Sequence, residues 1–259
     1  MKVQPLATRV YEDYWNKLQD SAKYHPANRY RYHLMTELLA KVLKPGMTVL
    51  DMGCGDARLV THLRELWPEC QFFACDISER VVEANQRREP KVSFFQADVS
   101  ASDFCTKAKE MGASSVDVVV SSEVIEHVEN DDALIANALA LLNEDGHFIL
   151  TTQSGPRYRV DFELLHHLRH YKKNELAQRL QGAGFLLRHS YACGFPVLTL
   201  QKIVANFAFD SVMKAAANTS EPKLWVRWIM ATMFFAMKWS PRWGGPQLVM
   251  HATRPRKRP

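Results

Sequence analysis

The chain has 259 residues, of which 47% are hydrophobic and 24% are charged. These values suit one enlarged α/β domain, or one domain with a helical insertion, and exclude long disordered stretches. The net charge is +5, and four of the positive charges lie in the last six residues, at Arg254, Arg256, Lys257 and Arg258. Because the rest is nearly neutral, nucleic acid is not an expected partner, and we interpret the tail as a solvated terminus.

The cysteines indicate the redox environment of the chain. There are five, an odd number, and no CxxC pair occurs among them. This favours free thiols in a reducing compartment over a disulfide framework or a zinc site. The first fifteen residues contain no apolar stretch of the kind found in secretory signals. We therefore expect a cytoplasmic protein.

Strands and helices are expected to alternate along the first 152 residues. Residues 6–44 have helical spacing, interrupted near His25 and Pro26, and Pro45–Gly46 ends the helix. A short apolar run then ends at Asp51, followed by glycines and a helix. Further strands are predicted at 71–75, 92–96, 116–120 and 147–152, with helices at 79–88, 101–111 and 131–142. This alternation is typical of a parallel sheet covered by helices on both faces.

The pattern loosens after residue 152. A loop or short helix rich in arginine, histidine and tyrosine is expected at 155–170, and then a helix at 172–182 and strands at 185–192 and 247–253. The prediction is an α/β, Rossmann-like doubly wound fold, with a mostly parallel seven-stranded sheet, an N-terminal helical lid and a C-terminal helical insertion before the last strand. The expected boundaries are 1–44, 45–195, 196–244 and 245–259.

The segment Val49–Ala57 runs from a strand through two glycines into a helix. Glycines allow a sharp turn and a close approach to a ligand, and amides at a helix start serve polar groups. The third glycine of dinucleotide-binding loops is replaced by Arg58. Asp51, just before the glycines, would repel a pyrophosphate but suits a ligand that carries an ammonium group.

Over about residues 35–190 the chain resembles the class I S-adenosylmethionine-dependent methyltransferases. In that family the acid at the end of the second strand, here Asp76, holds both ribose hydroxyls, and the residue matching Asp98 lies near the adenine amino group. Each acid alone could be a helix cap, but three successive strand ends beside a glycine loop favour a cofactor site. The resemblance implies S-adenosylmethionine as the cofactor, bound by Asp51, Gly53, Cys54, Gly55, Asp76, Ile77, Asp98, Val99 and Ser122.

Glu123, Glu126 and His127 follow the fourth predicted strand at positions i, i+3 and i+4. On a helix they would share one face, where two carboxylates and an imidazole can bind a divalent metal ion. The motif resembles ubiquinone-pathway O-methyltransferases, and also small-RNA 2′-O-methyltransferases that use a further histidine. Members without a metal carry a similar pair, with the histidine as a base or a helix-start residue. A metal is therefore possible but not favoured, and the catalytic candidates are Glu123, His127, His166 and His170, with His167 as another candidate for the further histidine.

Two segments outside the core allow several interpretations. An aromatic and basic cluster near the N-terminus could form a lid over the cofactor or pack on the sheet: Tyr14, Trp15, Tyr24, His25, Arg29 and Tyr30. Residues 224–239 are apolar nearly all round but too short to span a bilayer, and Arg227 and Lys238 interrupt them. The insertion at 196–244 could cap a pocket for an apolar acceptor, form a homodimer interface or core layer, or contact a membrane surface through Trp225, Trp228 and Trp239.

The leading functional prediction is methyl transfer from S-adenosylmethionine to a small-molecule acceptor, with an oxygen nucleophile on an apolar or aromatic metabolite. The alternatives are an RNA methyltransferase, suggested by the Glu-Glu-His motif and the basic tail, and a non-catalytic cofactor-binding subunit of a larger complex. Fold and cofactor motifs do not determine the acceptor.

Overall fold

A computed structural model describes residues 23–216 and 221–256. Its strands are β1 (Thr48–Met52), β2 (Gln71–Asp76), β3 (Ser93–Gln96), β4 (Val116–Ser122), β5 (Leu142–Gln153), β6 (Leu186–Cys193) and β7 (Gln247–Thr253). They form one seven-stranded sheet in the order β3-β2-β1-β4-β5-β7-β6. Neighbouring strands are parallel except β7, which is antiparallel to both β5 and β6. The predicted sheet is therefore confirmed.

The helices are α1 (Pro26–Leu39), α2 (Arg58–Leu66), α3 (Glu79–Arg88), α4 (Phe104–Glu110), α5 (Asp131–Leu141), α6 (Lys173–Gly182), α7 (Val197–Phe207), α8 (Phe209–Ala216) and α9 (Leu224–Lys238). A single 3₁₀ turn, Ile125–His127, follows β4. A π-helical turn, Val160–Leu164, lies in the loop after β5. The helical parts of the insertion are therefore α7, α8 and α9.

The strands are buried on both faces, which explains their nearly continuous apolar sequences. One face packs against α4, α5 and α6, with Phe104 and Leu134 fully buried there. The other face packs against α1 and α2, with Met35 and Leu63 fully buried. Since successive strand residues point to opposite faces, Leu50 and Val49 enter different cores. This double burial fixes the strand ends that carry the expected site.

Element boundaries differ from the predictions most at β5, α4 and α1. β5 begins at Leu142, because Leu142 pairs with Val116 before a register shift in the ladder. The helix expected at 101–111 spans only Phe104–Glu110. The structure describes the N-terminal helix from Pro26, and proline suits the first turn of a helix. The predictions for Tyr14, Trp15, Lys257 and Arg258 lie outside the described residues.

The insertion packs against the N-terminal helix. Met237 of α9 is fully buried between the two elements and the sheet core. The Arg29 guanidinium lies 4.3 Å from the centre of the Phe234 ring, and Arg242 donates to the Glu37 carboxylate at 2.6 Å. Among the described helices, none combines the length and apolar character needed to cross a bilayer.

Candidate active site

The glycine loop after β1 is shaped by the neighbouring strands. Gly53 has a φ of 81°, and a Cβ atom placed on it would lie 2.5 Å from the Val124 Cγ2 atom. The amides of Gly53 and Cys54 both donate to the Cys75 carbonyl oxygen, at 3.0 and 2.8 Å. A left-handed backbone and a close approach together require glycine at position 53.

Asp76 ends β2 and holds the loop in place. Its Oδ2 atom accepts a hydrogen bond from the Gly55 amide at 2.9 Å, and Oδ1 accepts one from the Ser78 amide at 3.0 Å. The Asn85 side-chain amide donates to the Gly55 carbonyl oxygen at 2.7 Å. Burial raises the pKa of Asp76. The backbone amides that donate hydrogen bonds to its carboxylate act in the opposite direction but do not outweigh burial. Each carboxylate oxygen retains a second lone pair for a ligand hydroxyl.

Asp51 at the end of β1 has an unsatisfied carboxylate oxygen. The side chain is only 1% exposed, and its Oδ2 atom has no hydrogen-bond partner among the described residues. Burial, followed by the nearby charges of Asp76 and Asp56, raises the pKa of Asp51 to about 8. Buried polar atoms are rarely left without partners, so this oxygen fits a donor supplied by a ligand. An ammonium group would also favour the ionised carboxylate.

The remaining cofactor candidates follow β2, β3 and β4. Asp98 accepts hydrogen bonds from the Ser100 amide and hydroxyl through Oδ1, at 2.8 and 2.7 Å. The Ser122 hydroxyl lies 3.1 Å from the Thr151 hydroxyl. All nine residues expected to bind the cofactor line one cavity, because the carboxyl ends of parallel strands meet at the same edge of the sheet.

That cavity extends beyond the cofactor candidates and has a volume of about 1690 Å³. Its far wall is mainly apolar and comes from the turn at Val160–Leu164 and from the insertion, including Val197, Leu198, Ala205, Val226, Met230 and Met233. His25, just before α1, and Tyr32, within α1, line the same cavity. The N-terminal helix and the insertion therefore enclose the cavity together.

The segment after β4 differs from the expected helix. Glu123 has a φ of 57°, and only Ile125–His127 form a turn of helix, of the 3₁₀ type. Glu123 and His127 line the cavity, whereas Glu126 is fully buried behind it. The three side chains thus do not share one α-helical face, because the left-handed residue redirects the chain just before the turn.

Glu123 lies in a polar cluster at the floor of the cavity. Its Oε1 atom accepts a hydrogen bond from the Gln247 amide at 2.8 Å, and Oε2 accepts one from Gln153 and lies 3.7 Å from the Arg31 guanidinium. Burial opposes ionisation, but Arg31, the two amides and Lys202 outweigh it and lower the pKa of Glu123. The group is therefore a fixed anion in a largely apolar chamber.

His127 and His167 both line the cavity and face each other, with ring centres 4.8 Å apart. Burial lowers the pKa of His127 to about 4, although the Glu123 charge acts in the opposite direction. Burial, followed by the neighbouring histidines, lowers the pKa of His167 to about 2. Both imidazoles are neutral near pH 7 and can accept a proton or ligate a metal ion.

The other two histidine candidates occupy different positions. His166 is exposed at the cavity rim, with a φ of 55°. The position of His170 needs correction, because it is not among the cavity-lining residues. Its Nε2 atom lies 2.9 Å from the His167 Nδ1 atom and 3.9 Å from Asp161, so His170 supports His167 from behind.

The potential metal ligands also differ from the expected set. The potential ligand atoms of Glu126, His127 and His167 lie within 4.8 Å of one another, and those of Asp161, His167 and His170 form a second such group. Glu123 belongs to neither. The Glu126 Oε1 atom is buried without a hydrogen-bond partner among the described residues, and burial raises its pKa well above the usual value. One carboxylate and two imidazoles suit a manganese or zinc ion.

Several residues of this floor were not among the predicted ones. Lys202 donates to the Gln153 side-chain oxygen at 2.9 Å and lies 3.0 Å from the buried carboxylate of Asp161. The sequence offered one signal for Lys202, since it is the single charged residue of an otherwise uncharged helix. Arg31 and Gln247 had no such signal, since they come from opposite ends of the chain.

Comparisons with known proteins agree with this geometry. A family model described as "Methyltransferase domain" matches residues 27–190. The chain is 28% identical over 148 residues to a trans-aconitate 2-methyltransferase from Azoarcus sp. (strain BH72), an alignment that covers 57% of this chain and 53% of that protein. It is 26% identical over 226 residues to a 37.1 kDa protein in transposon TN4556 of Streptomyces fradiae, covering 83% of this chain and 64% of that protein. The chain thus spans about half to two thirds of the length of these relatives.

A solved structure shows the same fold. Geranyl diphosphate methyltransferase in complex with S-adenosylmethionine superposes with a TM-score of 0.59 at 13% identity, covering 88% of this chain and 85% of that one. The orphaned Asp51 oxygen, the glycine at position 53 and the acid at position 76 fit S-adenosylmethionine, which carries an ammonium group and a ribose. The family model covers more than half of the chain. The chain therefore belongs to the methyltransferase-domain family, with the Rossmann-like fold of the class I S-adenosylmethionine-dependent methyltransferases.

Proposed function

We propose that the protein transfers the methyl group of S-adenosylmethionine to an oxygen nucleophile on a small apolar or aromatic molecule. The observation that carries this proposal is the single cavity of about 1690 Å³, which is lined by the cofactor candidates, by His127 and by an apolar wall. Pockets for small molecules are typically apolar with a few convergent polar groups. Glu123, His127 and His167 provide such groups here.

The residues that line the cavity support a direct displacement of the methyl group from sulfur to oxygen. S-adenosylmethionine supplies a methyl group on a positively charged sulfur. Asp51 and Asp76 would hold the cofactor, and the apolar wall would align the acceptor oxygen with the methyl carbon. As the O–CH₃ bond forms and the S–CH₃ bond breaks, the neutral His127 imidazole would take the hydroxyl proton. Glu123 would then stabilise the imidazolium, and the sulfur would leave as an uncharged thioether.

The metal candidates fit a modified version of this proposal. Glu126, His127 and His167 would hold a divalent ion, which would supply positive charge to the acceptor oxygen. In that version His127 would be a metal ligand and not the base, and the charge of the ion would favour loss of the acceptor proton. The resemblance to ubiquinone-pathway O-methyltransferases belongs to the same proposal, since it rests on the Glu123–His127 motif.

The RNA alternative is less well supported. The Arg254 guanidinium donates to the Leu139 and Leu142 carbonyl oxygens, and Arg256 pairs with Asp145. These partners lie at the end of α5 and the start of β5, opposite the sheet edge that carries the site. Two of the four tail charges are therefore engaged by the protein itself. The relative named for trans-aconitate acts, by its name, on a small molecule.

Calorimetric titration of S-adenosylmethionine, followed by an acceptor screen, tests the proposal. The panel should pair phenols and catechols with carboxylates, each with short and long aliphatic chains. His127→Gln should abolish transfer to phenols but spare carboxylates, which need no proton removed. Asp76→Ala should abolish cofactor binding.

Two outcomes would support the alternatives instead. Cofactor binding without transfer to any panel member would support a non-catalytic cofactor-binding subunit. Salt-sensitive RNA binding that is lost on removing residues 254–259 would support the RNA alternative.

A further inference from the structure

The outer face of α9 presents apolar side chains to solvent. Trp225, Trp228, Phe235 and Trp239 are 61, 68, 63 and 86% exposed, and Trp243 just beyond the helix is 76% exposed. The opposite face of the helix packs on α1 through Phe234 and Met237. We define the insertion patch as these five exposed aromatic residues. Contiguous apolar surface of this kind marks an interaction site.

The tryptophans are placed near both ends of the helix. Trp225 and Trp228 lie in its first two turns, and Trp239 and Trp243 lie at and beyond its last turn. Indole rings prefer the interface between hydrocarbon and water, because one edge is apolar and the N–H group needs a polar partner. An α-helix lying in the plane of a membrane would place both pairs at that depth.

Positive charge surrounds the patch. Between residues 221 and 243 the chain carries four basic side chains, at Lys223, Arg227, Lys238 and Arg242, and one acid, Glu221. Lys238 lies 5.8 Å from the centre of the Phe235 ring and has no carboxylate within 4 Å in the described part of the chain. Apart from this segment and the tail, the chain has a slight excess of acids. Arg227 pairs with Glu221, and Arg242 pairs with Glu37. Among the described residues, Lys223 and Lys238 are therefore the basic side chains beside the patch that lack an acidic partner.

This charge distinguishes between a second copy of the chain and a lipid surface. A symmetric dimer would bring two such basic faces together, because the same patch meets itself in an isologous interface. Like charges would then oppose association. An anionic bilayer provides the complementary charge, which attracts basic residues near its surface.

We propose that the insertion patch docks the protein peripherally on anionic lipid membranes. Trp228, Phe235 and Trp239 enter the headgroup region, and Lys238 contacts the lipid phosphates. The helix lies on the bilayer and does not cross it, consistent with its length of 15 residues.

Docking also has a consequence for the cavity. Leu200, Val204 and Trp225 line the cavity and are 57, 62 and 61% exposed, so its rim is continuous with the patch. A docked protein would take an amphiphilic acceptor directly from the bilayer. This second step rests on the proposed function, whereas docking itself does not.

Vesicle flotation of the full chain tests the docking. We expect binding to vesicles of phosphatidylcholine mixed with phosphatidylglycerol, and much weaker binding to phosphatidylcholine alone or at high salt. The double variant W228S/W239S should lose binding by at least about tenfold, and K238E by about fivefold or more. Matched controls are L66S/M111S, which removes exposed apolar residues elsewhere, and K91E, which reverses an exposed charge near β3.

The outcomes separate the alternatives. Equal flotation of wild type and W228S/W239S, equal flotation with neutral vesicles, or no flotation would overturn the proposal. So would a wild-type dimer in sedimentation that W228S/W239S converts to a monomer, since a second copy would then cover the patch. Circular dichroism melting checks that each variant is folded. Calorimetry with S-adenosylmethionine is independent of vesicles, so failure of the proposed function would leave the flotation result standing.

Discussion

At the scale of a single residue, we expect Asp51 to couple folding to cofactor binding. Its carboxyl group holds a proton up to about pH 8 in the folded protein, because of burial and the nearby Asp76 and Asp56. The unfolded chain releases that proton near pH 4. The free energy of unfolding therefore falls as the pH rises from about 4 to about 8, as far as this group is concerned.

We expect Asp51→Asn to stabilise the free protein at pH 7.5 and to bind S-adenosylmethionine at least about tenfold more weakly, through loss of a charge-assisted hydrogen bond. Urea unfolding at pH 7.5 and pH 4.5 measures the first effect, which should nearly vanish at the lower pH. Calorimetry measures the second. Unchanged affinity would show that Asp51 does not contact the cofactor. Asp117→Asn, at a carboxylate outside the cavity, is the control.

His127 determines the expected pH profile. With a pKa of about 4 it is neutral above pH 6 and gains a proton only as the pH falls through that value. For a phenolic acceptor, kcat/KM should therefore show no loss from His127 protonation between pH 6 and pH 8. A wild-type kcat/KM that falls with a midpoint between pH 6 and pH 7 would contradict the lowered pKa.

At the scale of elements, α9 has two faces with different roles. Met237 is fully buried against α1 and the sheet core, whereas Trp239 is 86% exposed. Met237→Ala should cost about 2–5 kcal/mol of unfolding free energy through a cavity. Trp239→Ser should change it by no more than about 0.5 kcal/mol. Urea denaturation of both variants checks the contrast, and similar losses would mean that the outer face is also packed.

At the scale of the whole molecule, buried histidines make the fold sensitive to acid. Burial lowers the pKa of His25, His127 and His251 to about 4 and that of His167 to about 2. Below pH 6.5 these histidines bind protons in the unfolded chain but stay neutral in the folded protein until the pH is much lower. The pKa values of His33, His147 and His170 are also lowered, so seven histidines act in this sense. They outnumber the four carboxyl groups with a raised pKa, Asp51, Asp56, Asp76 and Glu126, which act in the opposite sense.

We therefore expect the free energy of unfolding to be greatest above about pH 6.5 and to fall steadily toward pH 4. Urea unfolding over this range measures the slope. His251→Gln lies outside the candidate site and should reduce the slope without affecting cofactor binding. A slope that is unchanged in this variant would show that His251 does not contribute.

The sequence by itself determined the sheet and the gathering of the nine cofactor candidates at one edge of it. β-branched runs, the glycines at 53 and 55 and the acids at strand ends are local signals, and parallel strands bring their carboxyl ends to one edge whatever the loops do. Only the tertiary structure decided which residues surround Glu123 at the floor of the cavity. Arg31, Lys202 and Gln247 meet around Glu123 from α1, α7 and β7, and no local pattern links them. It also decided that Glu126 lies with His167, because a left-handed residue at 123 turns the chain. The sequence also did not determine which face of α9 is buried. A helix that is apolar nearly all round has no polar face to indicate the side that is exposed to solvent.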